Sequence, residues 1–126
     1  MIALLDAVRR HAERHADDNG LAPTPIHGLA AVRAVRPSGL IHAISRPLVC
    51  LVLQGRKQVS MGARNFAFSA GDSLLITADV PTVSQITQAS LNAPYVSLVL
   101  ELDPAVIADV AAQMTEPTPG DHAPVR

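Results

Sequence analysis

Two histidines near the start of the chain, His11 and His15, lie four positions apart. On an α-helix this spacing puts both imidazoles on one face, where they can share a metal ion. The helical zinc-protease motif, however, has glutamate at the position of Ala12, and no third ligand follows at a recognisable spacing. We therefore interpret the pair as the edge of an apolar helical stripe and predict no metal site there.

The other histidines, His27, His42 and His122, are isolated in the sequence. A metal enzyme built on strands needs histidine and carboxylate ligands on adjacent strands, yet the segment from Lys57 to Phe68 contains neither. The chain also lacks a serine nucleophile elbow, a Walker loop and a dinucleotide-binding glycine pattern. We therefore predict no catalytic residue, no metal and no cofactor, and we expect that the chain is not an enzyme.

The single cysteine, Cys50, stands within the apolar run from Leu48 to Leu53. Apolar surroundings disfavour the thiolate, so one interpretation is an unreactive core residue. The alternative is a cavity thiol that senses electrophiles or oxidants. Tyr95, the only phenol, is either a polar group in a ligand cavity or a packing residue at the start of a strand.

The composition limits the class of protein. A chain of 126 residues suits one domain, and its net charge of −1 gives no basic surface for nucleic acid. A single cysteine forms no internal disulfide and no secretion leader is recognisable, so we expect a cytoplasmic protein. The longest apolar runs are far shorter than the ~20 residues of a membrane span, so we expect no membrane partner.

The N-terminal segment, residues 1–20, has the apolar periodicity of an amphipathic helix from Ile2 to Asp18. Gly20 can adopt a positive φ and end this helix. Pro23 and Pro25 prevent the helix from resuming, so we predict a linker of about six residues.

From residue 26 onward, short apolar runs alternate with turn residues, which is typical of strands. The predicted strands are Leu29–Val35, Leu40–Ile44, Leu48–Leu53, Lys57–Met61, Asn65–Phe68, Ser73–Thr77, Thr82–Thr87 and Tyr95–Leu102. No long helix separates them, so antiparallel pairing is expected, and closure into a barrel or two-sheet jelly roll over residues 26–103 covers their edges. The run from Leu48 to Leu53 is apolar at every position, which indicates a central strand between the barrel interior and the N-terminal helix.

A second helix is predicted over residues 104–114, with Asp103 as N-cap and Pro104 as first helical residue. Its apolar stripe consists of Val106, Ile107, Val110 and Met114. Residues 115–126 have no periodicity and are interpreted as a tail or a truncated linker.

Four segments occur in an order and spacing known from one family: Arg46–Lys57, Gly71–Ile76, Asp79–Pro81 and Ala93–Asp103. The most specific is a Cys-x-x-x-Gln-Gly-x-Lys element that begins at Cys50 and ends at Lys57. Over about Leu29 to Val110 the chain resembles the N-terminal domain of AraC-type transcriptional regulators. The resemblance implies a mainly β, cupin-like or jelly-roll barrel with an N-terminal and a C-terminal helix.

The resemblance further implies a regulatory sensor that binds an unknown small effector in its barrel. The sensor would signal to a helix-turn-helix domain absent from this chain, and it would contact DNA only through that domain. Two alternatives stay open: a ligand-free dimerisation module whose homodimer seam is the C-terminal helix, and a small cupin-type enzyme. Metal-binding cupins carry a His-x-His element that this sequence lacks.

We predict an effector pocket lined by Cys50, Val52, Met61, Phe68 and Tyr95. Alternation puts Cys50 and Val52 on one face of their strand and Leu51 on the other. The pattern does not say which face is inward.

Overall fold

A computed structural model describes residues 2–114 of the chain, without the side chains at positions 106, 107, 110, 111 and 114. The elements in chain order are α1 (Ile2–His15), β1 (Leu21–Pro23), β2 (Leu29–Ala34), β3 (Ile41–Ser45), β4 (Leu48–Gln54), β5 (Arg56–Met61), β6 (Arg64–Ser69), β7 (Ser73–Ile76), β8 (Val80–Gln88), β9 (Tyr95–Glu101) and α2 (Pro104–Met114). The tail predicted at residues 115–126 and His122 lie outside the described residues.

The strands form two antiparallel sheets. Sheet A has the order β1-β2-β9-β4-β7, and sheet B has the order β3-β8-β5-β6. All eight strands predicted from residue 26 onward are present, with ends displaced by at most about two residues. The predicted two-sheet β architecture is therefore confirmed.

Helix α1 packs on the outer face of sheet A. Its buried residues are Val8 and Ala12, and they contact a cluster that includes Ala22, Ala31 and Val96. These side chains are small, so the helix backbone can approach the sheet closely. The amphipathic stripe predicted for this segment thus faces the sheet.

Helix α1 ends at His15 and not, as predicted, at Asp18. The carboxylate of Asp17 accepts hydrogen bonds from the backbone N–H groups of Asn19 and Leu21, at 2.9 and 3.0 Å. Such local bonds compete with helical bonds and turn the chain. Gly20 then adopts a φ of 83°, and the chain enters β1.

Strand β1 occupies the place where a linker was predicted, so that prediction was wrong. It pairs with β2, Leu21 opposite Val32. Three residues are too few to display an alternating pattern, and proline argued against a strand. Pro23 is accommodated because β1 lies at the edge of sheet A, where a missing N–H donor breaks no ladder.

Strand β4 is covered on both faces, as predicted. Leu53 belongs to the cluster beneath α1, with Leu51 packed against it. Val52 faces the space between the sheets and packs in a second cluster with Val59 and Tyr95. The face of β4 that carries Cys50 and Val52 is therefore the inward one.

Helix α2 follows β9 almost directly. The Oδ1 of Asp103 accepts a 2.9 Å hydrogen bond from the backbone N–H of Ala105, which is the geometry of an N-cap. The side chains of the predicted stripe, Val106, Ile107, Val110 and Met114, lie outside the described part of the chain.

Candidate functional site

Polar side chains meet in the space between the two sheets, inside an otherwise aliphatic interior. On sheet A, Val52 lies opposite Ser97 and Cys50 lies opposite Val99, so Tyr95, Ser97 and Cys50 share the inward face. Lys57 reaches the same space from β5 in sheet B. Its Nζ donates a 3.1 Å hydrogen bond to the Sγ of Cys50.

Tyr95 is 1% exposed and packs in the inter-sheet cluster. Burial raises the pKa of its phenol far above the ordinary value, and the neighbouring sulfur of Cys50 raises it further. The hydroxyl of Ser97 acts in the opposite direction but is the weaker influence. The phenol therefore keeps its proton at physiological pH and is available as a hydrogen-bond donor.

Ser97 is also 1% exposed, and its Oγ has no hydrogen-bond partner among the described residues. It lies near enough to Tyr95 to influence the pKa of the phenol without forming a hydrogen bond of normal geometry. Buried hydroxyls without a partner are uncommon in native proteins and call for an explanation such as a bound water or ligand.

A cavity of about 130 Å³ opens beside these residues. Its lining consists of Val32, Ile41, Lys57, Ser84, Gln85, Ile86, Tyr95, Ser97 and Val99. One wall is therefore aliphatic, and the other carries an ammonium and hydroxyl groups. The cavity is a mixed site, with apolar surface for burial and a few polar groups for orientation.

The loop between β2 and β3 is fastened beside this cavity. The backbone N–H of Ser38 donates to the carbonyl of Ile86 at 3.0 Å, and the N–H of Ile86 donates to the Oγ of Ser38 at 2.9 Å. The side-chain amide of Gln85 donates to the carbonyl of Ser38 at 3.2 Å. These bonds hold the segment that leads to Ile41, one of the lining residues.

The structure brings the residues of the predicted pocket into one region but does not give them equal access to the cavity. Tyr95 lines it. Val52 and Phe68 belong to the packed cluster, and Met61 packs against that cluster. Cys50 is 1% exposed and in contact with Lys57. Contact between these residues and an effector stays a prediction.

Sequence reasoning missed Lys57 and Ser97. The signal for both was alternation: Lys57 is in phase with the inward Val59 and Met61, and Ser97 is in phase with Tyr95. A lysine at an inward position was assigned to the surface because lysine is seldom buried.

Larger depressions of about 390 to 410 Å³ lie on the surface, and each has carboxylates among its lining residues. One, for example, combines Arg46 with Asp79, Glu101 and Asp103. Positive charge there is balanced by neighbouring acidic groups. The inter-sheet cavity differs, because its described lining includes a lysine and no carboxylate.

The histidine pair of α1 has a structural role. The Nε2 of His11 lies 2.7 Å from the carbonyl oxygen of Pro23, and the His15 ring packs against it with centroids 4.6 Å apart. Within residues 2–114 no group of three or more His, Cys, Asp or Glu side chains could hold a metal. Among the same residues, no helix is long and apolar enough to cross a membrane.

Solved structures similar to this chain are distant in sequence. Protein NMB1881 from Neisseria meningitidis is 13% identical, with a TM-score of 0.51 over 75% of this chain and 96% of that protein. A cupin superfamily protein from Desulfitobacterium hafniense is 10% identical, with a TM-score of 0.47 over 60% of this chain and 66% of that protein. A Cupin 2 conserved barrel domain protein from Salinispora arenicola is 17% identical, with a TM-score of 0.46 over 76% and 87% of the two chains. Identities this low bear on the fold alone.

No curated protein matches the chain. The cupin-like fold class predicted above is confirmed: the chain is mainly β, with two antiparallel sheets and an N-terminal helix. A sequence model described as AraC-type transcriptional regulator N-terminus matches residues 25–125, which is most of the chain. The resemblance drawn from Cys50 to Lys57 and the neighbouring segments is thereby confirmed. The chain belongs to the family of AraC-type transcriptional regulator N-terminal domains.

Proposed function

We propose that this domain is the sensor half of a transcriptional regulator and that a small effector occupies the cavity between its sheets. The observation that carries the proposal is the buried Oγ of Ser97, which has no partner among the described residues and borders that cavity. Leaving a buried hydroxyl unpaired costs roughly 1–3 kcal/mol. A ligand that supplies the missing hydrogen bond recovers this free energy on binding.

The position of the cavity suits a signal towards the end of the domain. Tyr95, Ser97 and Val99 lie on β9, and β9 leads directly into α2. An effector that contacts β9 can shift the packing of α2 only if it binds two arrangements with different affinity. In the family pattern helix-turn-helix units follow this region, and we propose that they make the DNA contacts, in the cytoplasm.

Thermal melting of the chain against a panel of small metabolites tests the proposal. A ligand at about 100 times its dissociation constant adds ~2.7 kcal/mol to the free energy of unfolding, so true binders raise the melting temperature. A Val99→Phe variant, which fills the cavity, should lose the response. If no metabolite raises the melting temperature of the unaltered chain, the sensor function is overturned.

The second candidate function is dimerisation without a ligand, and β3 favours it. This strand is an edge of sheet B and exposes Ile41 and Ile44 at 49% and 65%, next to Leu40 at 64%. Exposed apolar edge strands readily pair with other chains. Sedimentation of the chain and of an Ile44→Lys variant tests this candidate, because a monomer at tens of micromolar contradicts it.

Absence of enzymatic activity is part of the same proposal. It follows from the chemistry of the cavity, whose described lining offers no nucleophile-and-base pair of known type. Elemental analysis of the purified chain is the check. A stoichiometric transition metal would favour the cupin-type enzyme instead.

A further inference from the structure

Lys57 brings a positive charge into the inter-sheet space without a carboxylate to balance it. Its Nζ donates one hydrogen bond, to the Sγ of Cys50 at 3.1 Å, and an ammonium has three protons to donate. Within the described residues the one ion pair is between Arg9 and Asp6 on α1, far along the chain from this site. A partly buried charge without a counter-ion is unfavourable, so an anionic partner would stabilise it.

Two more donors border the same cavity. Ser97 has a buried hydroxyl without a partner among the described residues, and Tyr95 is a buried phenol that stays protonated. Both lie on β9, two positions apart and on the inward face, opposite the strand that carries Lys57. One cation and two hydroxyl donors form a suitable environment for an anion that accepts several hydrogen bonds.

The rest of the cavity limits the size and character of that anion. Val32, Ile86 and Val99 supply an aliphatic wall, so an ion with no apolar part would leave that wall in contact with water. A volume of about 130 Å³ corresponds to roughly four water molecules, and therefore to a ligand of about four to six non-hydrogen atoms. Inorganic phosphate lacks the apolar part, and aromatic acids exceed the volume.

We propose that this cavity binds a short-chain carboxylate, with the carboxylate group on Lys57 and Ser97 and the short alkyl part against Val32 and Ile86. This proposal rests on the sensor function proposed above, because it names the chemical class of that sensor's effector. The carboxylate supplies the counter-ion that Lys57 lacks and the partner that Ser97 lacks. A neutral analogue of the same shape supplies at most the second.

The test compares acids with their amides on the whole chain. Acetate, propionate and butyrate are titrated beside acetamide, propionamide and butyramide at constant pH and ionic strength. Tyr95 is the only tyrosine and the chain has no tryptophan, so intrinsic fluorescence reports directly on a cavity-lining residue. We expect saturable fluorescence changes and raised melting temperatures with the acids, and binding at least about tenfold weaker with the amides.

Variants locate the binding. Lys57→Met should abolish the response to the acids, whereas Arg56→Met, at the exposed neighbouring position, should leave it unchanged. Ser97→Ala is the second variant should Lys57→Met fail to fold, and it should weaken acid binding by about tenfold.

Three outcomes would overturn the carboxylate proposal: no binding of the acids, equal binding of acids and amides, or full retention of acid binding in both Lys57→Met and Ser97→Ala. Binding of amides or of other neutral metabolites would leave the sensor function standing. Failure of every compound, including the wider metabolite panel, would remove both.

Discussion

The ammonium nitrogen of Lys57 lies 3.1 Å from the sulfur of Cys50, although the two residues belong to opposite sheets. They begin and end the Cys-x-x-x-Gln-Gly-x-Lys element, and its central glycine explains their spacing. Gly55 adopts a φ of 83° where the chain passes from β4 to β5. This turn brings Lys57 over the inward face of β4, so the element is a device for placing a cation inside the domain.

Gly55→Ala should therefore lower the free energy of unfolding by at least about 2 kcal/mol. An added Cβ would lie 2.6 Å from the carbonyl oxygen of Gln88 and 2.9 Å from the Cα of Tyr95, and both are backbone atoms that cannot move aside. Gly39→Ala is the matched control, because no atom lies within 4 Å of its added Cβ. Urea unfolding should show Gly39→Ala as neutral or stabilising by about 0.4–1 kcal/mol. Equal losses in the two variants would contradict this account of the turn.

Lys57→Met should leave the free energy of unfolding unchanged or raise it by about 1 kcal/mol, because an apolar side chain replaces a partly buried charge that has no carboxylate partner among the described residues. Arg56→Met, at an exposed position, is the control and should stay within about 0.5 kcal/mol of the unaltered chain. Chemical denaturation in the absence of small acids measures both. A loss above about 2 kcal/mol in Lys57→Met alone would mean that the contact with Cys50 stabilises the fold.

The sequence predicted what depends on local pattern and missed what depends on tertiary position. Turn residues and alternation located every strand from β2 to β9, and the fully apolar run of β4 identified its two covered faces. Strand β1 was missed because its three residues gain their strand conformation only by pairing with β2. A proline at that place has meaning only once the edge of the sheet is known.

The candidate site was predictable to a similar degree. Cys50, Val52 and Tyr95 were assigned to the interior from their apolar neighbours, and the structure has them buried. Lys57 was not, because its inward position depends on the turn at Gly55 and on the apposition of β5 with β4 from the other sheet. No local pattern reports that two sheets face each other at these two residues.

Leu53→Ala should lower the free energy of unfolding by about 2–5 kcal/mol, since Leu53 is 3% exposed and fills the cluster between β4 and α1. Leu75→Ala is the matched control on the neighbouring strand β7, where the side chain is 51% exposed. The control should lose less than about 1 kcal/mol. Urea unfolding separates the two, and a small loss in Leu53→Ala would show that α1 contributes little to the fold.

Tyr95 should titrate abnormally, and the chain is suited to show it because no other tyrosine contributes to the tyrosinate absorbance. Burial raises the pKa of the folded phenol far above the 10.0 of an exposed tyrosine, so between these values the unfolded chain releases a proton that the folded chain retains. The unfolded state is therefore favoured as the pH rises: this contribution to stability is complete below about pH 10 and is lost progressively above it. In denaturant the tyrosinate band should appear with a midpoint near 10, whereas the folded chain should develop it only as it unfolds. A folded chain that titrates near pH 10 without loss of its circular dichroism would mean that Tyr95 is open to solvent, and the inter-sheet site would then be far more hydrated than its packing indicates.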